Sequence, residues 1–264
     1  MAGGVDRIFV VDNGGKASVP GPDVELLRVP NRGYGAAANE GFRRAFALGA
    51  SAIALLNDDV TVRPGWAGPL ASALERRGVG AAQPKLLIAG SNPPLVNSLG
   101  VAIGRDGAGT DIGDGTLDVV VGSPSELDRF TGGAVMFAPD FLRETGGFDE
   151  RFFLYYEDVD LGARGRALGW SYELVPSSVV EHERSATTAA DSNRTRYWQE
   201  RNRLWHAFRH CDTATQARAV WLSVRRLRHE PRGLHAKALA AGVAGAPGAW
   251  LRRVRHANSN GPLR

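Results

Sequence analysis

The chain has 264 residues, 43% apolar and 23% charged, an ordinary balance for a soluble domain with a sizeable core. Its single cysteine, Cys211, excludes an internal disulfide and fits a reducing compartment. The net charge of +4 is unevenly spread: from Arg194 onward there are 15 Lys+Arg against 3 Asp+Glu, or +12, and elsewhere 17 against 25, or −8.

The opening "MAGGVDRIFVVDNGG" lacks the basic start and apolar core of a signal peptide, so none is expected. "RIFVVDN" (Arg7–Asn13) reads as a buried strand ending in a polar turn, and "VELLRVP" (Val24–Pro30) as a second strand. "GYGAAANEGFRRAFALGA" (Gly33–Ala50) becomes helical, with Phe42, Ala45, Phe46 and Leu48 on its apolar repeat. "AIALL" (Ala52–Leu56) suits a central parallel strand, and "GWAGPLASALERRG" the next helix. This alternation argues for a doubly wound α/β sheet.

From Val79 to Val121 glycines are frequent and periodicity is weak. An irregular insertion is expected there, with short strands such as "KLLIA" and "VAIGR". "GGAVMFAP" (Gly132–Pro139) reads as a strand, and Asp140 as the cap of a following helix. "EDVDLGARGRALGW" predicts a helix with Val159, Ala163, Ala167 and Leu168 inward, followed by a strand at "YELVPSSVVEH" (Tyr172–His182). From Asp191 the pattern is helical and Arg-rich. "ALAAGVAGAPGAWL" (Ala238–Leu251) is too short, and too rich in Gly and Pro, to span a bilayer.

Two acid clusters and a histidine carry the chemical signal. Asn57, Asp58 and Asp59 follow an apolar strand, where α/β sheets bind ligands. Adjacent acids there either hold Mg²⁺ or Mn²⁺ or form a polar turn. Glu157, Asp158 and Asp160 open a helix whose dipole favours negative charge. They are either simple caps or, since crowding raises a carboxyl pKa, candidates for a general base. His182, the one histidine ahead of the basic tail, is a structural residue or part of a Mn²⁺ shell at the same mouth as Asp59.

In order, "VVDN", "NRGYGAAANEG", "LLNDDV", "FTGGAVMFAPDFLRETGGFDERFFLYYEDVDLGARGRALGW" and "VVEH" resemble a family 2 inverting glycosyltransferase of the rhamnosyltransferase-like and galactofuranosyltransferase-like kind. The resemblance covers Ile8 to His182, with "RYWQERNRLW" as a weaker continuation. It implies a GT-A type, doubly wound and mostly parallel sheet over residues 1–190, followed by a basic helical segment over 191–264. It also implies a further strand ahead of "VVDN", for which the residues before Ile8 leave no room, so that strand is expected to be missing.

Carried onto matching positions, the resemblance makes Asp12 a partner of the nucleotide base and has Asn31, Gly35 and Asn39 line the nucleotide site. Asn57 would bond the ribose, with Asp58 beside it, and Asp59 and His182 would hold Mn²⁺ or Mg²⁺. Gly132 and Gly133 would lie by donor sugar and acceptor, Glu157 would position the acceptor, and Asp158 would be the catalytic base. The implied partners are a dTDP- or UDP-sugar donor and a glycan or lipid-linked acceptor. A relative that binds nucleotide with impaired turnover is the alternative.

The tail's Trp198, Leu204, Trp205 and Phe208 lie among arginines. Such a helix suits an anionic membrane surface or packs its apolar side on the domain. Nucleic acid is not an expected partner, because it leaves the acids and His182 unexplained. The expected location is cytoplasmic, with a peripheral position at the inner face of the membrane as the further option.

Overall fold

The computed structural model describes residues 4–118, 126–183, 193–246 and 248, apart from 16, 19, 20 and 22. The expected start of the helical tail at Asp191, the division at 190 and the stretch ends at Val121 and Leu251 lie outside those residues. The strands are β1 (Ile8–Asp12), β2 (Val24–Arg28), β3 (Ile53–Leu56), β4 (Val60–Val62), β5 (Val79–Ile88), β6 (Val96–Ser98), β7 (Val101–Ile103), β8 (Gly109–Asp111), β9 (Ala134–Phe137) and β10 (Ser171–His182). The helices are α1 (Tyr34–Ala47), α2 (Ala67–Leu74), α3 (Pro139–Thr145), α4 (Glu157–Ala167), α5 (Asn193–His210), α6 (Thr213–Arg226) and α7 (Arg232–Ala244).

The chain forms two compact units. The first comprises Met1–Ala102, Asp111–Phe153 and Glu157–Ser185; the second comprises Ile103–Thr110, Leu154–Tyr156 and Ala186–Arg264.

In the first unit a six-stranded sheet runs in the order β3-β9-β5-β10-β4, with β6 also on β5. The two longest ladders, β5–β10 and β1–β2, are parallel, and the shorter ones β3–β9, β5–β9, β4–β10 and β5–β6 are antiparallel. β3 was expected as a central parallel strand; it instead ends the sheet order, paired antiparallel with β9. β1 and β2 form a sheet of their own, and among the described residues no strand links them to β3.

The expected irregular insertion after Val79 contains instead the ten-residue β5, which pairs with β10, β9 and β6. Small residues (Gly80, Ala81, Ala82) and Pro84 hide this strand from an alternation test. Pro84 lacks an N–H to donate to a ladder. It sits opposite Val175, where β10 shifts register before Val179, so the missing donor coincides with an irregularity.

Period-two alternation builds both faces. Ala81, Leu87, Val135, Phe137, Tyr172 and Leu174 pack in one cluster with Phe42 of α1, Phe141 of α3 and Leu161 of α4. Ala82, Leu86, Ala134, Met136 and Val180 pack in the other with Leu70 and Ala73 of α2. Helices thus cover the sheet on both sides, as a doubly wound architecture requires.

Three helix details differ from expectation. Leu48 is exposed, because α1 ends at Ala47 and Leu48 follows as its C-cap. Ala167 and Leu168 of the α4 end are exposed too, and Leu161 takes the inward place. α3 is capped by Ala138 with Pro139 in its first turn, and Asp140 pairs with Arg143 instead.

The second unit packs Leu204 and Ala207 of α5 against Ala219 of α6, with Phe208, Val220 and Leu239 around them. Its interior is unusually polar. Glu200 accepts from Arg226 at 2.9 Å and faces His235 Nδ1 at 2.9 Å. Arg203 donates to Ser223 Oγ at 2.7 Å, and the buried Asn202 amide donates to Leu154 O at 2.8 Å and Tyr155 O at 2.7 Å. The Arg201 guanidinium lies 4.2 Å from the Trp198 ring and 4.0 Å from the Trp205 ring, a double cation–π contact. Trp205 Nε1 donates to Ala241 O at 3.2 Å. Of the α5 residues for which a membrane surface or packing was expected, Leu204 is buried in the helical unit, and Trp205 and Phe208 are partly covered within it.

Candidate active site

Strand direction assembles the site. β3, β5 and β10 run one way and β9, β4 and β6 the other. The carboxyl ends of the first three therefore share an edge with the amino ends of β9 and β4. Asn57–Asp59 leave β3 there, Thr131–Gly133 enter β9, and His182 ends β10 opposite Val60 and Ile88.

Tyr34 joins these segments. Its hydroxyl lies 2.9 Å from Asn57 Oδ1 and 2.8 Å from Gly132 O. Gly132 N donates to Asp158 Oδ2 at 2.7 Å, so one hydrogen-bonded chain runs from the end of β3 to the start of α4. Burial holds the Tyr34 phenol in its neutral form well above its usual range, aided by the charges of Glu157, Asp158, Asp58 and Asp59. Both acid clusters therefore bear on one phenol. Gly33 makes this placement possible: its φ is 101°, and a Cβ there would collide with the backbone of Phe153. Tyr34 N donates to that same Phe153 O at 2.7 Å.

The acids of α4 divide the work. Asp158 Oδ2 takes the Gly132 N–H and Oδ1 the N–H of Val159 at 2.8 Å. Burial raises the Asp158 pKa, and these backbone donors oppose the rise. A Cβ on Gly132 would lie 3.3 Å from Asp158 Oδ2, closer than ordinary contact. Glu157 is buried, its Oε2 has no hydrogen-bond partner, and burial with the neighbouring Asp158 charge pushes it up to about 8. At neutral pH Glu157 thus holds a proton beside Asp158, the better-supported anion.

The residues leading into these acids are strained. Phe153, Tyr155 and Tyr156 have φ of 65°, 67° and 70°, rare for aromatic residues.

A raised carboxyl pKa has a signed consequence. The Glu157 contribution to stability is fully present below about 4.5 and is lost as pH rises towards about 8, because the unfolded chain ionises first. Glu157→Gln is expected to flatten this loss. Melting temperatures of both proteins at pH 5 and pH 8 check it; an equal drop in the two would remove Glu157 as the cause.

Asp59 Oδ1 lies 3.0 Å from His182 Nε2, and His182 Nδ1 lies 2.6 Å from Asn97 Oδ1. Asn97 thereby fixes the ring so that Nε2 faces the carboxylate, the second-sphere arrangement of metal-binding histidines. A carboxylate oxygen beside an imidazole nitrogen is a donor set that suits Mn²⁺. Among the described residues no cluster of three His, Cys, Asp or Glu forms, so ligand oxygens and water would complete the shell.

The other expected site residues are placed as follows. Asp12 accepts from Gly14 N at 2.9 Å, Gly15 N at 2.7 Å and Ala17 N at 3.0 Å, which fixes the loop after β1. Asn31 Oδ1 accepts from Gly33 N at 3.3 Å at the entry to α1. Asn39, expected to line the nucleotide site, is buried and fastens a turn, bonding Phe148 N and O at 2.9 Å each and Glu150 at 3.3 Å. Gly35 packs against Phe148 and Glu157. Gly133 O accepts from Asn57 N at 3.0 Å.

A family model described as "Glycosyl transferase family 2" matches residues 4–99. Residues 4–99 thus resemble glycosyl transferase family 2. The chain is 40% identical over 70 residues to the N-acetylglucosaminyl-diphospho-decaprenol L-rhamnosyltransferase of Mycobacterium tuberculosis (strain CDC 1551 / Oshkosh), covering 26% of this chain and 23% of that one. It is 31% identical over 145 residues to the O-antigen biosynthesis protein RfbC of Myxococcus xanthus, covering 52% of this chain and 11% of that one. The chain thus spans under a quarter of the length of either relative. The crystal structure of GalNAc-T7 with UDP, GalNAc and Mn²⁺ superposes with a TM-score of 0.59 at 14% identity, over 91% of this chain and 47% of that one. That likeness concerns the fold, which is the expected GT-A type.

The matched segment contains Tyr34, Asn57–Asp59 and Asn97, whereas Asp158 and His182 lie beyond it. Tyr34 and Asn97 were missed in the sequence, as was Gln83, whose Oε1 accepts from Thr131 N at 2.8 Å. Tyr34 had a signal, standing between glycines at a helix start. Asn97 and Gln83 had none, because both lie in the stretch where strands were least legible.

Proposed function

We propose that this chain transfers a hexose, L-rhamnose first among candidates, from a nucleoside diphosphate to a hydroxyl of a glycan or lipid-linked acceptor, with inversion. The observation that carries this reading is the Tyr34 phenol, which bonds Asn57 after β3 and the carbonyl of Gly132, whose own N–H bonds Asp158 at the start of α4. Asp158 takes the proton of the acceptor hydroxyl as that oxygen bonds to the anomeric carbon. The bond from that carbon to the diphosphate breaks on the opposite face, and the nucleoside diphosphate leaves with the electron pair. Glu157, protonated, keeps a second negative charge away from the base. Tyr34 and Gly132 hold Asn57 and Asp158 in register. Asp59 and His182 would hold Mn²⁺ or Mg²⁺, which when bound supplies Lewis-acid stabilisation of charge on the diphosphate. The name of the mycobacterial relative supports rhamnose and a lipid-linked acceptor.

The test is release of nucleoside diphosphate from a panel of dTDP- and UDP-sugars with Mn²⁺. Turnover of dTDP-rhamnose that stops on chelation is expected; a panel giving none with any metal would overturn the reading. A second reading, nucleotide binding without turnover, is favoured by the separation of the β1–β2 sheet from the six-stranded one. Donor binding without release in that panel would select it.

A further inference from the structure

Helix α6 keeps its tryptophan outside. Its buried positions are Ala219 and Ser223, small or polar, with Val220 and Leu222 partly covered. Its outward positions carry the largest apolar side chain of the helix, Trp221, at 60% exposure, and Val224 at 49%. Ala214, Ala217, Arg218, Arg225 and Arg228 are exposed as well. The spacing 214, 217/218, 221 and 224/225 follows the three-to-four-residue repeat that defines one helix face, and Arg228 stands in the turn just after the helix. This face is a stripe of small and apolar residues centred on a tryptophan and edged by arginines.

The charge around it is one-sided. From Thr213 to Ala246 there are six Lys+Arg against one acid, Glu230. Glu230 pairs with Arg232 and Arg226 pairs with Glu200, so neither cation is needed by the stripe. The Arg225 guanidinium lies 5.3 Å from the Trp221 ring and extends the same surface. No helix of the described residues is long and apolar enough to cross a membrane.

We propose that the outward face of α6 docks the chain on an anionic lipid bilayer. Trp221 and Val224 enter the headgroup boundary, where an amphipathic indole is favoured. Arg218, Arg225 and Arg228 meet the lipid phosphates, and each contributes about fivefold to partitioning near a charged surface. A polyanion in water matches the arginines but leaves Trp221 and Val224 without a partner, which favours the bilayer. The docking face is placed on α6, where Trp221 is more exposed than the partly covered Trp205 and Phe208 of α5.

Cosedimentation of the full chain with vesicles tests this without donor or acceptor, so a failed transfer assay leaves it standing. The chain is expected to sediment with phosphatidylcholine vesicles containing phosphatidylglycerol and not with phosphatidylcholine alone. Trp221→Ala should weaken binding about tenfold, and the triple change Arg218→Gln, Arg225→Gln, Arg228→Gln on the order of 100-fold. Both variants alter exposed positions, and circular dichroism melts matching the parent confirm that they fold. Undiminished sedimentation of both overturns the proposal. So does binding to single-stranded DNA that exceeds vesicle binding and is lost in the triple variant. A dimer seen by light scattering that Trp221→Ala dissolves would also overturn it, assigning the stripe to a second copy.

Discussion

Asp158→Asn is expected to lower the transfer rate by about 10³-fold while donor affinity stays near that of the parent. General-base catalysis contributes roughly 10²- to 10⁴-fold, and an amide cannot accept the acceptor proton. The geometry sharpens this expectation. Both Asp158 oxygens take backbone N–H groups, from Gly132 at 2.7 Å and Val159 at 2.8 Å. An asparagine keeps one of these bonds and turns its NH₂ against the other donor, at a local cost of about 1 kcal/mol. The variant should therefore fold, bind donor and fail at the chemical step. Turnover number and donor dissociation constant, measured separately, distinguish the outcomes. An unchanged turnover number would remove Asp158 as the base, and loss of donor binding would make it a binding residue instead.

Phe137→Ala should be the most damaging change to stability, at about 3–5 kcal/mol. Phe137 is fully buried on β9, and its ring centroid lies 5.8 Å from Phe42, 5.3 Å from Phe130, 5.7 Å from Phe141 and 6.4 Å from Phe148. These rings come from α1, α3, the segment before β9 and the turn after α3, so the cavity would open where several elements meet. Edge-to-face and offset pairs add to the area buried. The melting temperature should fall by roughly 10 °C for a chain of this size. Leu48→Ala, at a position 47% exposed, serves as the control and should change stability by less than about 0.5 kcal/mol. Similar losses in both variants would mean that the aromatic cluster does not dominate the core.

The site was legible where chemistry is local. Asp59 and His182, 123 positions apart, meet at 3.0 Å, and each stands at a strand end that its apolar run announced. Glu157 and Asp158 open α4 as the charge pattern required. Asn39 shows the limit: a polar residue on a glycine-rich helix start looks the same whether it faces a ligand or fastens the Phe148 turn. Ala167 and Leu168 show another, since an apolar repeat at a helix end does not reveal where the neighbouring sheet stops.

Sequence alone determined the alternation of strands and helices, the placing of acids behind buried strands and the basic character of the tail, because periodicity and charge act over a few residues. Tertiary structure decided which strand ends share an edge. The order β3-β9-β5-β10-β4 is not the chain order, and it rests on ladders such as Leu56↔Ala134 and His182↔Ile88 between distant segments. Only that packing surrounds Glu157 closely enough to keep its proton, and only the set of helix α6 on its neighbours leaves Trp221 outside.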